Sequence, residues 1–398
     1  MNTITTPFFV MKNKIQNYAW GSSDSIEQLF DIANPNKRPQ AEIWMGAHPN
    51  GCSEVELNGS SLLLSELIAQ DKSRFLSHQT AAQFGELPYL FKVLAAAQAL
   101  SVQVHPSKEE AQAGYAKENA AGIDIKAANR NYKDPNHKPE LVYAITPYQA
   151  MNGFRSISSI IDHFEPLKIE CIQPLVEELR NNQHEQGLQQ FFTLLLSLTG
   201  DAKRQAVEKL LAYAQSHQSQ SIYTLILELA EQYPNDIGLF APLMLNVLTL
   251  QPGEAMYLDA RTPHAYLKGT GLEIMANSDN VLRAGLTPKH MDVLELAKCT
   301  RFAEKPESTL LLTPIEQDGA LLYPVPVDDF KFALYTKPSQ TSVTVSSAEI
   351  IFPIDEDATL ISDEGIEVTL RKGQSVFVPA YTSHYRLSSA GRVARAYN

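Results

Sequence analysis

The sequence predicts a mainly β protein with an all-helical domain inserted into it. Two β modules of one sandwich or barrel type are expected, the first interrupted by the helices. Three observations predict this. Short apolar runs punctuated by turn residues fill the first 150 or so residues and return after residue 320. Between about 155 and 247 the apolar spacing changes to three and four residues. One strand-turn-strand unit also recurs, PGEAMYLDARTPHAYLKG from Pro252 and KGQSVFVPAYTSHYRLSS from Lys372.

In chain order, PYLFKVLAA (88–96), ALSVQVHP (99–106) and ELVYAIT (140–146) have the length and flanking turns of strands. SLLLSELIAQ (61–70) reads as a helix. So does SKEEAQAGYAKENA (107–120), where Ser107 can cap and Glu110, three residues on, completes a capping box. The helical block then holds IIDHFEPL, CIQPLVEELR, LQQFFTLLLSLTG, DAKRQAVEKLLAYAQ and SIYTLILELAEQ, and closes near NDIGLFAPLMLN. In its fourth segment Ala206, Leu210, Leu211 and Ala214 share a face, and Asp201 is placed to cap it. Strands resume at VLTLQPGEAMYLDA, and TSVTVSSAEIIF, IEVTLRKG and SVFVPA build the C-terminal module. The expected division is 1–154 and 248–320 for the two parts of the first β module, 155–247 for the insertion and 321–398 for the second module. In the recurring unit Gly253 precedes His264 by eleven residues and Gly373 precedes His384 by the same interval.

Composition excludes several classes. Of 398 residues, 33 are Lys or Arg and 45 are Asp or Glu, a net charge of −12 that argues against non-specific nucleic-acid binding. A local cluster of cations can still hold a small anion. Three widely spaced cysteines make neither a disulfide framework nor a cysteine zinc module, and point to a reducing compartment. No apolar leader and no membrane-spanning run is visible. A cytoplasmic protein without a membrane, nucleic-acid or obligate protein partner is expected.

The chemistry-bearing residues fall into four groups. Gln103 and His105 share one face of a strand, with Ser101 beside them. Asn136-His137-Lys138-Pro139-Glu140 is held extended by its proline and leads into a strand. His264 opens a strand after Thr262-Pro263. Together Gln103, His105, Glu140 and His264 form a mixed nitrogen and oxygen set that suits Zn²⁺ and is compatible with Mn²⁺, Fe²⁺ or Co²⁺. The fourth group runs from Glu273 to Gly285. There Arg283 offers a guanidinium fork for an oxyanion, with Asp279 and Glu273 able to orient it.

These stretches resemble the type I mannose-6-phosphate isomerases, or phosphomannose isomerases, of the cupin superfamily. The resemblance is carried by QNYAWGS (16–22), AEIWMGAHPNG (41–51), PYLFKVL (88–94), LSVQVHPSKEEA (100–111), DPNHKPE (134–140), MNGFR (151–155), YLDARTPHAYLKG (257–269) and ANSDNVLRAGLTPKH (276–290). It implies a metal-bearing cupin jelly roll, a helical insertion and a second jelly roll. It also implies reversible interconversion of mannose 6-phosphate and fructose 6-phosphate with one zinc ion, so that the partner is a small phosphorylated hexose. On this resemblance the zinc ligands are Gln103, His105, Glu140 and His264, and the essential arginine is Arg283. Trp20, Lys92, Lys138, Glu273 and Asp279 also lie on the family's active-site motifs.

For such an isomerase, proton transfer between C2 and C1 passes most simply through a cis-enediol. His137 and Lys138 are the titratable residues nearest a ligand in sequence. Lys92 and Ser101, expected on neighbouring strands, are candidate phosphate contacts, with Trp20 on the substrate side. Competing readings are a cupin oxygenase, a metal-dependent epimerase and a non-enzymatic sugar-binding double cupin. No Q-x-H or N-H-K-P-E counterpart precedes His384, so the second module is expected to be metal-free.

Overall fold

The fold, a computed structural model, describes residues 4–398. The insertion is helical from Ile157–Phe164 to Ala241–Met244, and strands resume at Leu245–Leu250. Its buried face in Gly200–Ser216 is Ala206, Val207, Leu210 and Ala214, with Leu211 at the edge. The cap of that helix is Thr199, not Asp201. Asp201 sits inside the first turn and pairs with Arg204 at 2.9 Å, where its charge still meets the positive end of the helix. Helix Lys108–Ala120 carries the expected capping box: Ser107 Oγ accepts from Glu110 N–H at 3.2 Å, and Glu110 accepts from Ser107 N–H at 2.9 Å. Such a cap contributes about 1 kcal/mol.

Residues 61–70 differ from expectation. Ser60–Leu63 is a strand paired with Glu54–Leu57, and the helix starts only at Leu64. The reason is Asn58-Gly59, whose φ values of 52° and 79° make the left-handed two-residue turn that specifies a hairpin.

The first β module is built around the long strand His264–Ala276. Its start pairs with Tyr148–Phe154, and its later part with Tyr89–Ala96 on one side and Glu140–Ala144 on the other. A register shift between Tyr266 and Lys268 lets one strand serve both arrangements. Tyr89–Ala96 is buried throughout, because its two faces meet different cores. Tyr89, Phe91, Val93 and Ala95 pack outward, while Leu94 and Ala96 join the core around Tyr148 and Tyr266. Lys92 alternates with the outward set and so faces the interior.

The second module is two facing sheets. One runs through seven strands from Phe9–Met11 to Ile315–Gln317, and the other through Thr341–Thr344, His384–Ser389, Ala358–Ser362 and Glu367–Leu370. Phe9–Met11 pairs with Ser375–Val378, so an N-terminal segment belongs to the C-terminal sheet. Ile315–Gln317 joins the same sheet ahead of residue 321. The seven-stranded sheet covers the outer face of the first module, with Phe332 and Phe352 against Phe91. His264 and His384 each open a strand, as the repeated unit predicts. Among the described residues, no helix is long and apolar enough to cross a membrane.

Candidate active site

His105 directly follows the strand Gln103–Val104, Glu140 opens Glu140–Ala144, and His264 opens His264–Ala276. Their ligand atoms all lie within 4.8 Å of one another, and each residue is at most 2% exposed. His105 Nε2 is 3.2 Å from Glu140 Oε1, and His264 Nε2 is 3.6 Å from Glu140 Oε2. Among the described residues, no second group of three such side chains converges.

The surroundings decide what these atoms are. His105 Nδ1 donates to the Asn280 carbonyl at 2.6 Å, and His264 Nδ1 donates to the Thr262 carbonyl at 2.9 Å. A neutral ring with its proton on Nδ1 presents a lone pair at Nε2. Both rings therefore aim a lone pair at a carboxylate. His105 Nε2 is buried and has no hydrogen-bond partner. Burial and the Lys138 charge push the His105 pKa down to about 4, so the ring is neutral at pH 7. Burial pushes the Glu140 carboxyl up, but the Lys138 charge beside it reverses this and the carboxyl is held well below the usual carboxylate range. Two lone pairs and an anion facing one point, sealed from water, fit a divalent cation. Tyr266, two residues after His264, donates its hydroxyl to Glu140 Oε2 at 2.6 Å and orients that carboxylate. Gln103 pairs in register with both His264 and Arg283, so its short strand lies between the strands that carry them.

Comparison with known proteins shows which metal-dependent fold this is. Residues 8–157 match the phosphomannose isomerase type I catalytic domain, 168–245 its helical insertion domain, and 320–398 the mannose-6-phosphate isomerase cupin domain. Mannose-6-phosphate isomerase of Shigella flexneri is 47% identical over 388 residues, covering 97% of this chain and 98% of that protein. The chain belongs to the type I phosphomannose isomerase family. The human mannose-6-phosphate isomerase is 33% identical over 414 residues, 94% of each protein. A crystal structure of mannose 6-phosphate isomerase with zinc bound matches with a TM-score of 0.94 at 46% identity, covering 99% of this chain and 100% of that one.

Within this phosphomannose isomerase fold the remaining expected residues find partners that change their reading. Lys92 is neither outward-facing nor free. Its Nζ lies 2.8 Å from Glu273 and 3.4 Å from Glu42, with the Trp44 ring centroid 5.2 Å away. Burial lowers its pKa, but those two carboxylates outweigh burial and keep it charged. Glu273 is raised by its own burial. Asp279 does not orient Arg283 either. It accepts from Asn50 at 2.8 Å and faces His48 Nε2 at 3.4 Å. Burial raises its pKa, but the His48 contact, with the charges of Lys138 and Lys92, more than offsets that and the net shift is down. Trp44, His48, Asn50 and Asp279 line a cleft of about 720 Å³.

His137 is committed elsewhere, its Nε2 3.0 Å from both oxygens of the buried Asp329. Lys138 stands 3.2 Å from Glu140 Oε1. Ser101 is half-buried just ahead of Gln103–Val104 rather than on a strand, and Trp20 packs against the core containing Tyr266. Arg283, half-buried on Leu282–Arg283, has no ion-pair partner among the described residues. Burial lowers its pKa, with no carboxylate offsetting that.

Sequence reasoning missed Tyr266, Glu42, Trp44, His48 and Asn280. Tyr266 was within reach, since residue i+2 of a strand shares the face of His264. The others depend on which segments meet.

Among the described residues of the second module, no group like that of His105, Glu140 and His264 converges. His384 is exposed, 3.8 Å from Asp363, and joins no metal-type group among the described residues. His384→Ala is expected to leave metal content, kcat and KM within about twofold of the parent, since exposed sites away from such features are near neutral. Elemental analysis beside steady-state kinetics checks this, and a lost equivalent of metal would overturn it.

Proposed function

We propose that this chain interconverts mannose 6-phosphate and fructose 6-phosphate with one zinc ion held by His105, Glu140, His264 and Gln103. The observation that carries the reading is the buried pair of Nδ1-donating histidines aimed at Glu140, with Gln103 paired to an arginine that has no carboxylate partner among the described residues. Bound zinc polarises a carbonyl oxygen or lowers the pKa of a water molecule. The chain's own groups supply the rest. A base takes the C2 proton of the open-chain aldose, the C2–H electrons form a C1–C2 double bond, and the C1 carbonyl electrons move to O1, which takes a proton to give the cis-enediol. O2 then gives up its proton and becomes the C2 carbonyl as C1 is protonated, which yields the ketose. Arg283 faces the oxyanion charge that develops at O1 and O2. Lys92 is already held by Glu273 and Glu42, whereas Arg283 has no carboxylate partner among the described residues and is free to take a new anion.

Candidates for moving the proton are His137, Lys138, Asp279 and Glu273. Lys138 stands nearest the metal group, and the Asp329 contact restrains His137. Lys92, Ser101 and Trp20 are assigned to the substrate side. For the domains we infer the division 1–154, 155–247, 248–320 and 321–398, with Phe9–Met11 and Ile315–Gln317 lent to the last part. The three free cysteines accord with a cytoplasmic location.

The test is a coupled assay with mannose 6-phosphate, before and after chelation, repeated in D₂O. Turnover should depend on restored zinc and should place solvent deuterium on C1 of fructose 6-phosphate. Absence of turnover in the zinc-loaded protein would overturn the function. Complete retention of the C2 hydrogen would overturn proton exchange in favour of direct transfer.

A further inference from the structure

With no carboxylate among the described residues to hold its side chain, the position of Arg283 rests on its backbone, and that backbone is short. Leu282–Arg283 pairs with Val104 and Gln103, and the chain turns at once through Gly285, whose φ is +115°. The turn is gripped on two sides. On one side Ala284 N–H donates to the Val102 carbonyl at 2.8 Å, and Val102 N–H donates to the Gly285 carbonyl at 3.0 Å. On the other side stands Asp236, which belongs to the helical insertion and caps the 3-10 turn Ile237–Phe240. Its Oδ1 accepts from Gly238 N–H at 2.6 Å and from Leu286 N–H at 2.7 Å. Its Oδ2 accepts from Thr287 N–H at 3.1 Å.

The backbones meet as closely as glycine allows. A Cβ on Gly285 would stand 2.4 Å from Gly238 Cα, and a Cβ on Gly238 would stand 2.4 Å from Leu286 N. Leu239, Phe240, Leu282, Ala284, Leu286, Val102 and Val104 share one buried core around this contact. The insertion is therefore fastened to the two strands that carry Gln103 and Arg283.

We propose that Asp236 is a positioning residue for Arg283, and that this is how the helical insertion enters the chemistry. The inference rests on the reading of Arg283 given above. A carboxylate suits the task because two acceptor oxygens take three backbone N–H groups with no competing proton. An asparagine would set an NH₂ group against one of those donors. A shift of about 1 Å in the turn would move the guanidinium off the developing charge, and misplacement of that size costs about 10²-fold in rate.

The experiment compares the parent with Asp236→Asn, Arg283→Ala and the double variant, all zinc-loaded and checked for fold by circular dichroism. Asp236→Asn is expected to lose about 10- to 100-fold in kcat with zinc content kept and KM little changed. In the Arg283→Ala background the same substitution is expected to cost less than about twofold, because its effect passes through Arg283. If the asparagine variant does not fold, Asp236→Glu, which keeps the charge and displaces the oxygens, takes its place in the same cycle. Equal losses in both backgrounds would overturn the coupling to Arg283, and an unchanged kcat in Asp236→Asn would overturn the clamp. An Arg283→Ala variant with parental kcat would instead bring down the role of Arg283 itself, so the two failures are told apart.

Discussion

Metal-free protein is expected to be inactive, and His105→Ala is expected to remain inactive when zinc is added back. Both results follow from the geometry of Nε2. His105 and His264 are locked by the Asn280 and Thr262 carbonyls into the tautomer that offers a lone pair, and Glu140 is held as an anion. Removing one ring leaves two protein donors beside Gln103, too few to hold zinc while keeping an open position for substrate. Polarisation by a bound metal is worth several kcal/mol in the transition state, so the loss should be on the order of 10³-fold or more. Elemental analysis of the purified variant should show zinc far below one equivalent. A His105→Ala variant with full zinc stoichiometry would remove His105 from the ligand set. Tyr266→Phe should act more mildly. It deletes the hydroxyl on Glu140 Oε2, and loss of such an outer contact costs about 10–100-fold in metal affinity, read by competition with a chelating dye.

Arg283→Ala is expected to keep its zinc and its fold and to lose about 10²–10³ in kcat. The guanidinium is partly desolvated and no carboxylate among the described residues compensates it, so its field is available to an anion that forms during the reaction. An interaction made chiefly in the transition state lowers kcat, whereas a grip on the phosphate raises KM. Lysine at this position should restore little, because an ammonium lacks the planar fork. A variant with raised KM and parental kcat would make Arg283 the phosphate anchor and reverse the assignment.

Local periodicity was enough to read the helical insertion, the strands Tyr89–Ala96 and Glu140–Ala144, and the recurrence of His264 in His384, whereas of the strand expected over 99–106 only Gln103–Val104 forms. The i,i+2 rule put Gln103 and His105 on one face, and the extended Lys138-Pro139 segment presented Glu140 to a strand. These features depend on neighbours two to four residues apart, and a sequence displays such neighbours directly. Three of the expected ligands, His105, Glu140 and His264, do meet in the fold, and they were legible because only a few residue types supply lone pairs.

Tertiary structure alone decided the partners. Lys92 reads as a strand lysine until Glu42, 50 residues away, and Glu273 close around it. His137 reads as a free base until Asp329, 192 residues on, takes its ring. Asp236 lies in NDIGLFAPLMLN with nothing in the sequence to mark it, and only the fold closes it on Leu286 and Thr287. Phe9–Met11 is a short apolar strand whose sheet is chosen by the packing of the second module. In each case a buried charge or backbone group must find compensation inside the protein, and burial sets that requirement without naming who meets it. The partner is whichever group the packed layers bring within about 3 Å, a distance that close packing of remote segments determines and no local pattern encodes.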